Sequence, residues 1–411
     1  MKINLLFKWF KSKKWFEKFF LILILLRPIA EPFFYLKKSS PMLSPLYWIG
    51  VLTFLICLLG ISVNNKIKSK NDNYFNFWTI LVVVNILCLL ASTDFLNFFI
   101  FGLKLIYPVI IFYFFRGFIK SKYDLYGILM FLFISSGIAS LWFLFDIQTV
   151  GLNLRVQSSF ADVINYGVYA NLALICVLYF ALKFQILKKV LWKPKTLLIL
   201  GVFLISLLTF YAIKHLASIA VFISILATFA YFLSRKKIGP FIVVIGIFLI
   251  TFLIIADRFM EDVVNERIVR EVQVVNGNRD QSQALHGRVS RWEWLFEDFS
   301  KAPYFNQVFG YPTSLQYSNH MIGVTPHNDF LRVLFFTGFF GLFFYLGFLF
   351  RMIQSIKKLA ISEKFLLLSA LFCFFLYSIS TVPTFYPGFN NFIFAIFAFV
   401  SLPIQKINEL D

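Results

Sequence analysis

The chain has 411 residues, 60% of them apolar and only 14% charged, with a mean hydropathy of +0.79. Soluble proteins run at roughly 45–50% apolar and about 25% charged, so a soluble enzyme, a disordered chain and a secreted disulfide scaffold are excluded. The net charge of +19 would suit nucleic acid, but the basic residues flank long apolar runs, which is a membrane signature.

Residues 5–20 mix Trp9, Trp15, Phe16 and Phe19 with five lysines. No small-residue cleavage site follows, so this is read as a short basic amphipathic helix on the anionic inner leaflet and not as a signal peptide. Twelve apolar runs then recur at 18–36, 45–63, 74–92, 95–115, 125–145, 163–182, 196–213, 215–233, 239–256, 330–350, 365–382 and 387–404. Each is near the roughly 20 residues that a helix needs to cross a bilayer. The runs are continuous and do not alternate in polarity, which excludes a β-barrel. The expected fold is therefore all-α, a polytopic membrane helix bundle of about 12 spans.

With the N-terminus in the cytoplasm, 25 of the 39 basic residues fall in inside segments, 11 outside and three within spans. Every inside loop obeys the positive-inside rule, and an even span number returns the C-terminus to the cytoplasm. The expected organisation is a cytoplasmic N-terminus (1–18), spans one to nine (19–256), an outside loop (257–329), spans ten to twelve (330–404) and a cytoplasmic tail (405–411). Cys57, Cys88, Cys176 and Cys373 all fall in spans, so neither a disulfide framework nor a metal-thiolate site is implied.

The loop before span ten is the only long polar segment outside. Residues 258–275 place Phe259, Val263, Val264, Ile268 and Val272 at helical spacing, and Asn276-Gly277-Asn278 breaks that helix. A second helix is expected after Gly287, through Trp292 and Trp294 to Phe299, ending before Pro303. A Gly/Pro stretch follows at Gly310-Tyr311-Pro312, and Pro326-His327-Asn328-Asp329 stands at the mouth of span ten. The chain shows no internal repeat, nucleotide-binding loop, metal-spaced cluster or Ser/His/Asp arrangement. All four histidines, His215, His286, His320 and His327, are outside by this topology, and His327 is held where the chain enters an apolar span. Histidine titrates near neutral pH and is the natural general base for a hydroxyl.

Gly287-Arg288, Trp292, Gly310, Pro326-His327-Asn328, Leu331, Gly338 and Gly341 together resemble the O-antigen ligase and polymerase superfamily. The resemblance is good over 287–341 and rests elsewhere on span number and loop placement. Arg27-Pro28 with Glu31 resembles a motif of the polymerase branch. The resemblance implies a polytopic membrane glycosyltransferase of the bacterial inner membrane, acting on its periplasmic side. Its donor would be an undecaprenyl-diphosphate-linked glycan, and its acceptor a glycan or the lipid A core. Membrane lipids and other glycan-assembly membrane proteins are the remaining partners implied; no nucleic acid, metal or cofactor is expected.

His327 matches the histidine that would deprotonate the acceptor hydroxyl, and Arg288 the arginine that would bind the diphosphate. Lys214 stands where members carry an arginine at the outer end of span seven, a departure that replaces a bidentate fork by a point charge. Arg155, Arg332 and Asn328 are further diphosphate or sugar candidates. For Arg332 the competing reading is snorkelling to the outer interface. Arg27 and Glu31 read as an intrahelical pair, and Lys104, in span four, as a partner of Glu31 or Asp94. A lipid-linked glycan flippase or secondary transporter is the alternative function, which calls for midplane charges, broken helices and a repeat. A structural membrane scaffold is the third.

Overall fold

The computed structural model describes residues 3–36, 41–63, 73–87, 95–147, 159–160, 164–185, 194–234, 269–278, 288–310 and 327–402. Among the described residues there are fifteen α-helices and no strand. In order these are α1 (Ile3–Ser12), α2 (Trp15–Ala30), α3 (Pro45–Val63), α4 (Asn73–Leu87), α5 (Phe95–Phe118), α6 (Lys122–Asp146), α7 (Ile164–Lys183) and α8 (Pro194–Ile213). They continue with α9 (Leu216–Ser234), α10 (Val269–Val275), α11 (Arg288–Ser300), α12 (Tyr304–Phe309), α13 (Asp329–Ser355), α14 (Ile361–Ser380) and α15 (Pro387–Val400).

Seven of these are long and apolar enough to cross a membrane: α3, α6, α7, α8, α9, α13 and α14. Helices also stand at the expected first, third, fourth and twelfth runs. At 14 residues, α15 spans only about 21 Å, short of a bilayer core of about 30 Å. The expected ninth run, 239–256, lies outside the described residues, as do Cys88, Asp94, His286 and His320.

The bundle is organised around α7 and α15, which are buried almost all round. A helix that is apolar on every face belongs in a core and not at a boundary with water. Phenylalanine fills the remaining space: Phe75 of α4 lies against Phe112 and Phe348 with ring centroids 4.2 and 4.5 Å apart, and Phe348 meets Phe397 of α15.

One end of the bundle is closed by ion pairs. At the start of α6, Asp124 accepts from the Ser121 and Lys120 backbone N–H groups, from Trp9 Nε1 (2.8 Å) and from Lys13. Trp9 lies so close over Gly127 that a Cβ there would overlap the indole. So α1, expected simply to lie on the inner leaflet, is docked on α6, while Leu5 and Phe7 stay exposed. At the same end Lys183 of α7 pairs with Glu363 of α14 at 3.1 Å.

The long loop is tied to α13 through two glycines that the sequence placed in the signature. Gly338 has φ 65° and ψ −171° and breaks α13 within an apolar run. Gly310, with φ 85°, ends α12 against that break. A Cβ on either glycine would overlap the backbone of the other segment, at Phe336 or Val308. Around this contact Phe299 of α11 packs on Phe335 and Phe339, and Phe309 on Phe340. The helix expected after Gly287 is α11, whereas α12 was not foreseen. Of the expected 258–275 helix, Val269–Val275 is described, and it ends at Gly277 with the Asn278 N–H on the Gln273 carbonyl, as in a Schellman cap.

Gly338→Ala should lower the melting temperature of the detergent-purified protein, by an amount equivalent to roughly 2–4 kcal/mol from a disfavoured backbone plus overlap. Gly201→Ala, where the added methyl meets nothing within 4 Å, should cost less. Equal effects in thermal melts would show that the backbone contact is not the constraint.

Candidate active site

The end of the bundle opposite the Lys13–Asp124 and Lys183–Glu363 pairs holds a second set of buried polar groups. His327 and Lys214 both stand there, and both have left-handed backbones, with φ 46° and 49°. The third such non-glycine residue among those described is Gln185. Each site residue immediately precedes the capping residue of a helix, Asn328 for α13 and His215 for α9. A left-handed non-glycine residue costs about 1–2 kcal/mol, and such strain gathers at functional sites. Both side chains are thereby held beside helix N-termini, where the macrodipole favours negative charge.

Asn328 has extended backbone, and its Oδ1 accepts from the Phe330 and Leu331 N–H groups at 2.9 and 3.1 Å. Its side-chain carbonyl is thus occupied in capping α13, leaving only the amide nitrogen for a sugar. One residue on, Asp329 Oδ1 accepts from Arg332 Nε at 2.6 Å and from Thr384 Oγ1 at 2.8 Å, and Thr384 Oγ1 also accepts from Arg332 Nη2 at 2.5 Å. Arg332 is 3% exposed and its guanidinium lies 4.5 Å from the centre of the Phe385 ring. It points into the bundle, so the snorkelling reading is overturned. A carboxylate three residues before it, and a threonine in the turn before α15, hold it there. Asp329 Oδ2 and Arg332 Nη1 are buried with no hydrogen-bond partner.

A second polar chain ties α9 to α7 and α14. The Asn171 amide donates to Tyr377 Oη (3.0 Å) and to the Ser218 carbonyl (3.1 Å), and Tyr377 donates to Ser218 Oγ (2.9 Å). Ser218 Oγ lies 2.8 Å from His215 Nδ1, which also accepts from the Ser218 N–H. That pattern makes Nδ1 the acceptor, and a neutral His215 then carries its proton on Nε2. His215 is buried, and its ring is parallel to that of Tyr377. Sequence reasoning noted His215 as an outside histidine but not its partners. Asn171, an amide inside an apolar run, was the available signal.

Arg288 opens α11 and is half-buried, with no hydrogen bond or ion pair among the described residues. Burial first, and then the neighbouring Arg291 guanidinium, lower its pKa from the usual arginine value. An anion placed between the two guanidinium groups would relieve both effects. Phe299 connects α11 to α13. Residues 311–326, which run from Gly310 towards His327, lie outside the described residues, and so does Arg155. Among the described residues no group of three or more His, Cys, Asp or Glu could hold a metal ion.

Arg27 pairs with Glu31 at 3.2 Å, as expected of residues one turn apart. The Lys104 ammonium lies 5.3 Å from the centre of the Phe385 ring, and Asp94, its other expected partner, lies outside the described residues.

These features define a polytopic helical membrane protein with a strained, cation-rich polar site at one end of the bundle. Residues 200–346 match the family model described as O-antigen ligase, and the match supports the O-antigen ligase and polymerase superfamily. The matched segment runs from α8 into α13 and contains Lys214, Arg288, His327, Asn328, Arg332 and both contacting glycines; Arg27, Lys104 and Thr384 lie outside it. No curated protein matches the chain.

Arg332→Ala would strand a buried Asp329 carboxylate and should cost about 3–5 kcal/mol, whereas Asp329→Ala with Arg332→Ala should cost distinctly less. Thermal melts of the single and double variants read the difference. Additive losses would mean that the pair is not coupled.

Proposed function

We propose that this chain is a membrane glycosyltransferase of the O-antigen ligase and polymerase type. It transfers an undecaprenyl-diphosphate-linked glycan to an acceptor sugar hydroxyl at the periplasmic face of the inner membrane, with both termini in the cytoplasm. The observation that carries this reading is the placement of His327 and Lys214, within the matched family domain, in left-handed conformation at two helix N-termini. The Lys13–Asp124 and Lys183–Glu363 end belongs to the segments that the positive-inside rule assigns to the cytoplasm.

In the reaction the acceptor oxygen attacks the anomeric carbon from the face opposite the diphosphate. The bond from that carbon to the diphosphate oxygen breaks, its electron pair stays on the leaving oxygen, and the configuration inverts. His327 takes the hydroxyl proton as the new bond forms, a contribution typically worth about 10²–10⁴-fold. Charge grows on the diphosphate as it leaves, so cations fixed there act most strongly in the transition state. Arg288 with Arg291, and Lys214, are assigned that role, with Arg155 as a further contact; the scheme requires no metal. Arg332 is committed to Asp329 and Thr384 and contributes through its remaining Nη1. Arg27-Pro28 and Glu31 incline the assignment to a polysaccharide polymerase over a ligase.

The test is the surface-glycan profile of a deletion strain complemented with wild type or His327→Ala at equal membrane abundance, with lipid-linked glycans extracted alongside. A polymerase lacking its base should leave single repeat units on the final acceptor. Long chains accumulating on the lipid carrier would identify a ligase. A profile identical to wild type would remove His327 as the base and favour a flippase or transporter. Arg288→Ala should abolish transfer with insertion unchanged, and Arg288→Lys should lose most of it if the diphosphate contact is bidentate; a wild-type rate in Arg288→Lys would reduce the role to charge alone.

A further inference from the structure

The loop before α13 divides in two by charge. Residues 257–301 carry 16 Asp, Glu, Lys or Arg, whereas 302–328 carry none. The described part of that uncharged stretch, 302–310, contains α12, which packs against the bend of α13 at Gly338. The bend is sharp. The rings of Phe330 and Tyr345 lie 6.3 Å apart, although 15 residues of straight helix would set their positions about 22 Å apart along the axis. The arm before Gly338 is therefore turned into the bundle, where Leu331–Thr337 are buried, and the arm from Phe339 to Ser355 runs towards the basic inner end.

Depth follows from the second arm. The Arg351 guanidinium lies 5.5 Å from the centre of the Tyr74 ring, a pairing of the kind that gathers at a membrane boundary. Gly338 stands 13 residues earlier, about 20 Å along the helix, in a hydrocarbon core about 30 Å thick. About 10 Å of core remains beyond Gly338, and tilt of the helix increases that depth. The contact of Gly310 with Gly338 holds the end of α12 at this level. Rings continue inward from it, Phe305 to Phe309 at 5.0 Å, Phe309 to Phe340 at 5.9 Å and Phe340 to Phe344 at 4.8 Å.

Polar groups of this segment are bonded within it. Gln307 Nε2 donates to the Ser300 and Ala302 carbonyls at 3.0 and 2.9 Å, closing the end of α11. The Asn306 and Gln307 N–H groups bond the Pro303 carbonyl, and the Gly310 N–H bonds the Asn306 carbonyl. Hydrocarbon demands such internal pairing, whereas a loop in water can leave it to solvent. Tyr304 and Phe305 are 81% and 64% exposed, and Phe309 is exposed beside Phe339, Phe340 and Phe343 of α13. A contiguous apolar patch marks a protein or membrane contact, and this one continues the exposed apolar side of a helix long enough to span. Just before it, Lys301 is exposed and paired with Glu297 at 2.6 Å, which suits the headgroup level.

We infer that α12 is embedded in the outer leaflet of the membrane. Tyr304, Phe305 and Phe309 form, with Phe339, Phe340 and Phe343, a surface for the acyl chains of membrane lipid. This holds whether or not the chain is a transferase.

The test is spin labelling of the full chain in phospholipid nanodiscs, with a nitroxide on Phe305→Cys. Reference labels go on Phe343→Cys in the spanning arm and Lys301→Cys at the headgroup level. Cys57, Cys176 and Cys373 are buried, and the parent chain carried through labelling is the blank. Oxygen concentrates in the bilayer core and a nickel chelate in water, so the ratio of their collision rates reads depth. The ratio at Phe305→Cys should be several-fold that at Lys301→Cys and approach that at Phe343→Cys. Should Phe305→Cys not insert, Tyr304→Cys carries the same reading. A ratio equal to that at Lys301→Cys would put α12 in water and overturn the proposal. Protection from both reagents would show that a second copy or another protein covers the face, and would overturn it as well.

Discussion

The ion pair between Asp329 and Arg332, closed by Thr384, is the interaction on which the site end of the bundle depends. It sits in the first turn of α13 and reaches 52 residues along the chain to the turn before α15. Two buried charges are expensive to remove from water, and their attraction repays this only when the remaining hydrogen bonds are well placed. Thr384 supplies such bonds by donating to the carboxylate and accepting from the guanidinium. The tie fixes the direction of the first turn of α13, and with it the positions of Asn328 and His327. It also sets Phe385 against the guanidinium.

The two ends of the molecule use charge differently. At the Lys13–Asp124 and Lys183–Glu363 end, ion pairs join separate helices and each carboxylate has its cation. At the other end Asp329 Oδ2, Arg332 Nη1, Arg27 Nε and Asn171 Oδ1 are buried without a hydrogen-bond partner, as Thr196 Oγ1 and Tyr179 Oη are at the ion-paired end. Native interiors rarely leave such atoms unsatisfied, and those that remain call for an explanation. A site that exchanges anionic and sugar ligands supplies one, because its donors and acceptors must be complete only when substrate is present. The strained backbones at His327 and Lys214 fall at this end as well.

Much of this was legible in the sequence because a membrane allows few local choices. An apolar run of about 20 residues must be helical, since its backbone groups have no water to bond, and helices stand at each described run. The helix after Gly287 was legible too, from its Trp292 and Phe299 spacing and from Pro303. The break at Gly338 was not, because a glycine in a Phe-rich run reads as ordinary span. Only the approach of Gly310, 28 residues earlier, shows why that position bends. In the same way Arg332 read as an interfacial cation. Its partner Asp329 was visible one turn away, but the threonine that turns the pair inward comes from a distant turn. Lys104 read as a partner of Glu31 or Asp94, and its approach to Phe385, which Arg332 also faces, was not legible.

On the proposed reading, Lys214 stands where members of the superfamily carry an arginine, and the geometry at 214 suits that exchange. A guanidinium is a planar fork that gains most where it can meet two oxygens in fixed geometry, whereas an ammonium offers a compact charge on a flexible stem. At 214 the backbone is already left-handed and the residue adjoins His215, the cap of α9. A point charge near the N-terminus of α9 adds to the field of the helix without needing a second hydrogen bond. On the same reading the bidentate contact falls to Arg288, which is half-buried beside Arg291. The division of labour is then one point charge beside the N-terminus of α9 and one guanidinium fork at the start of α11.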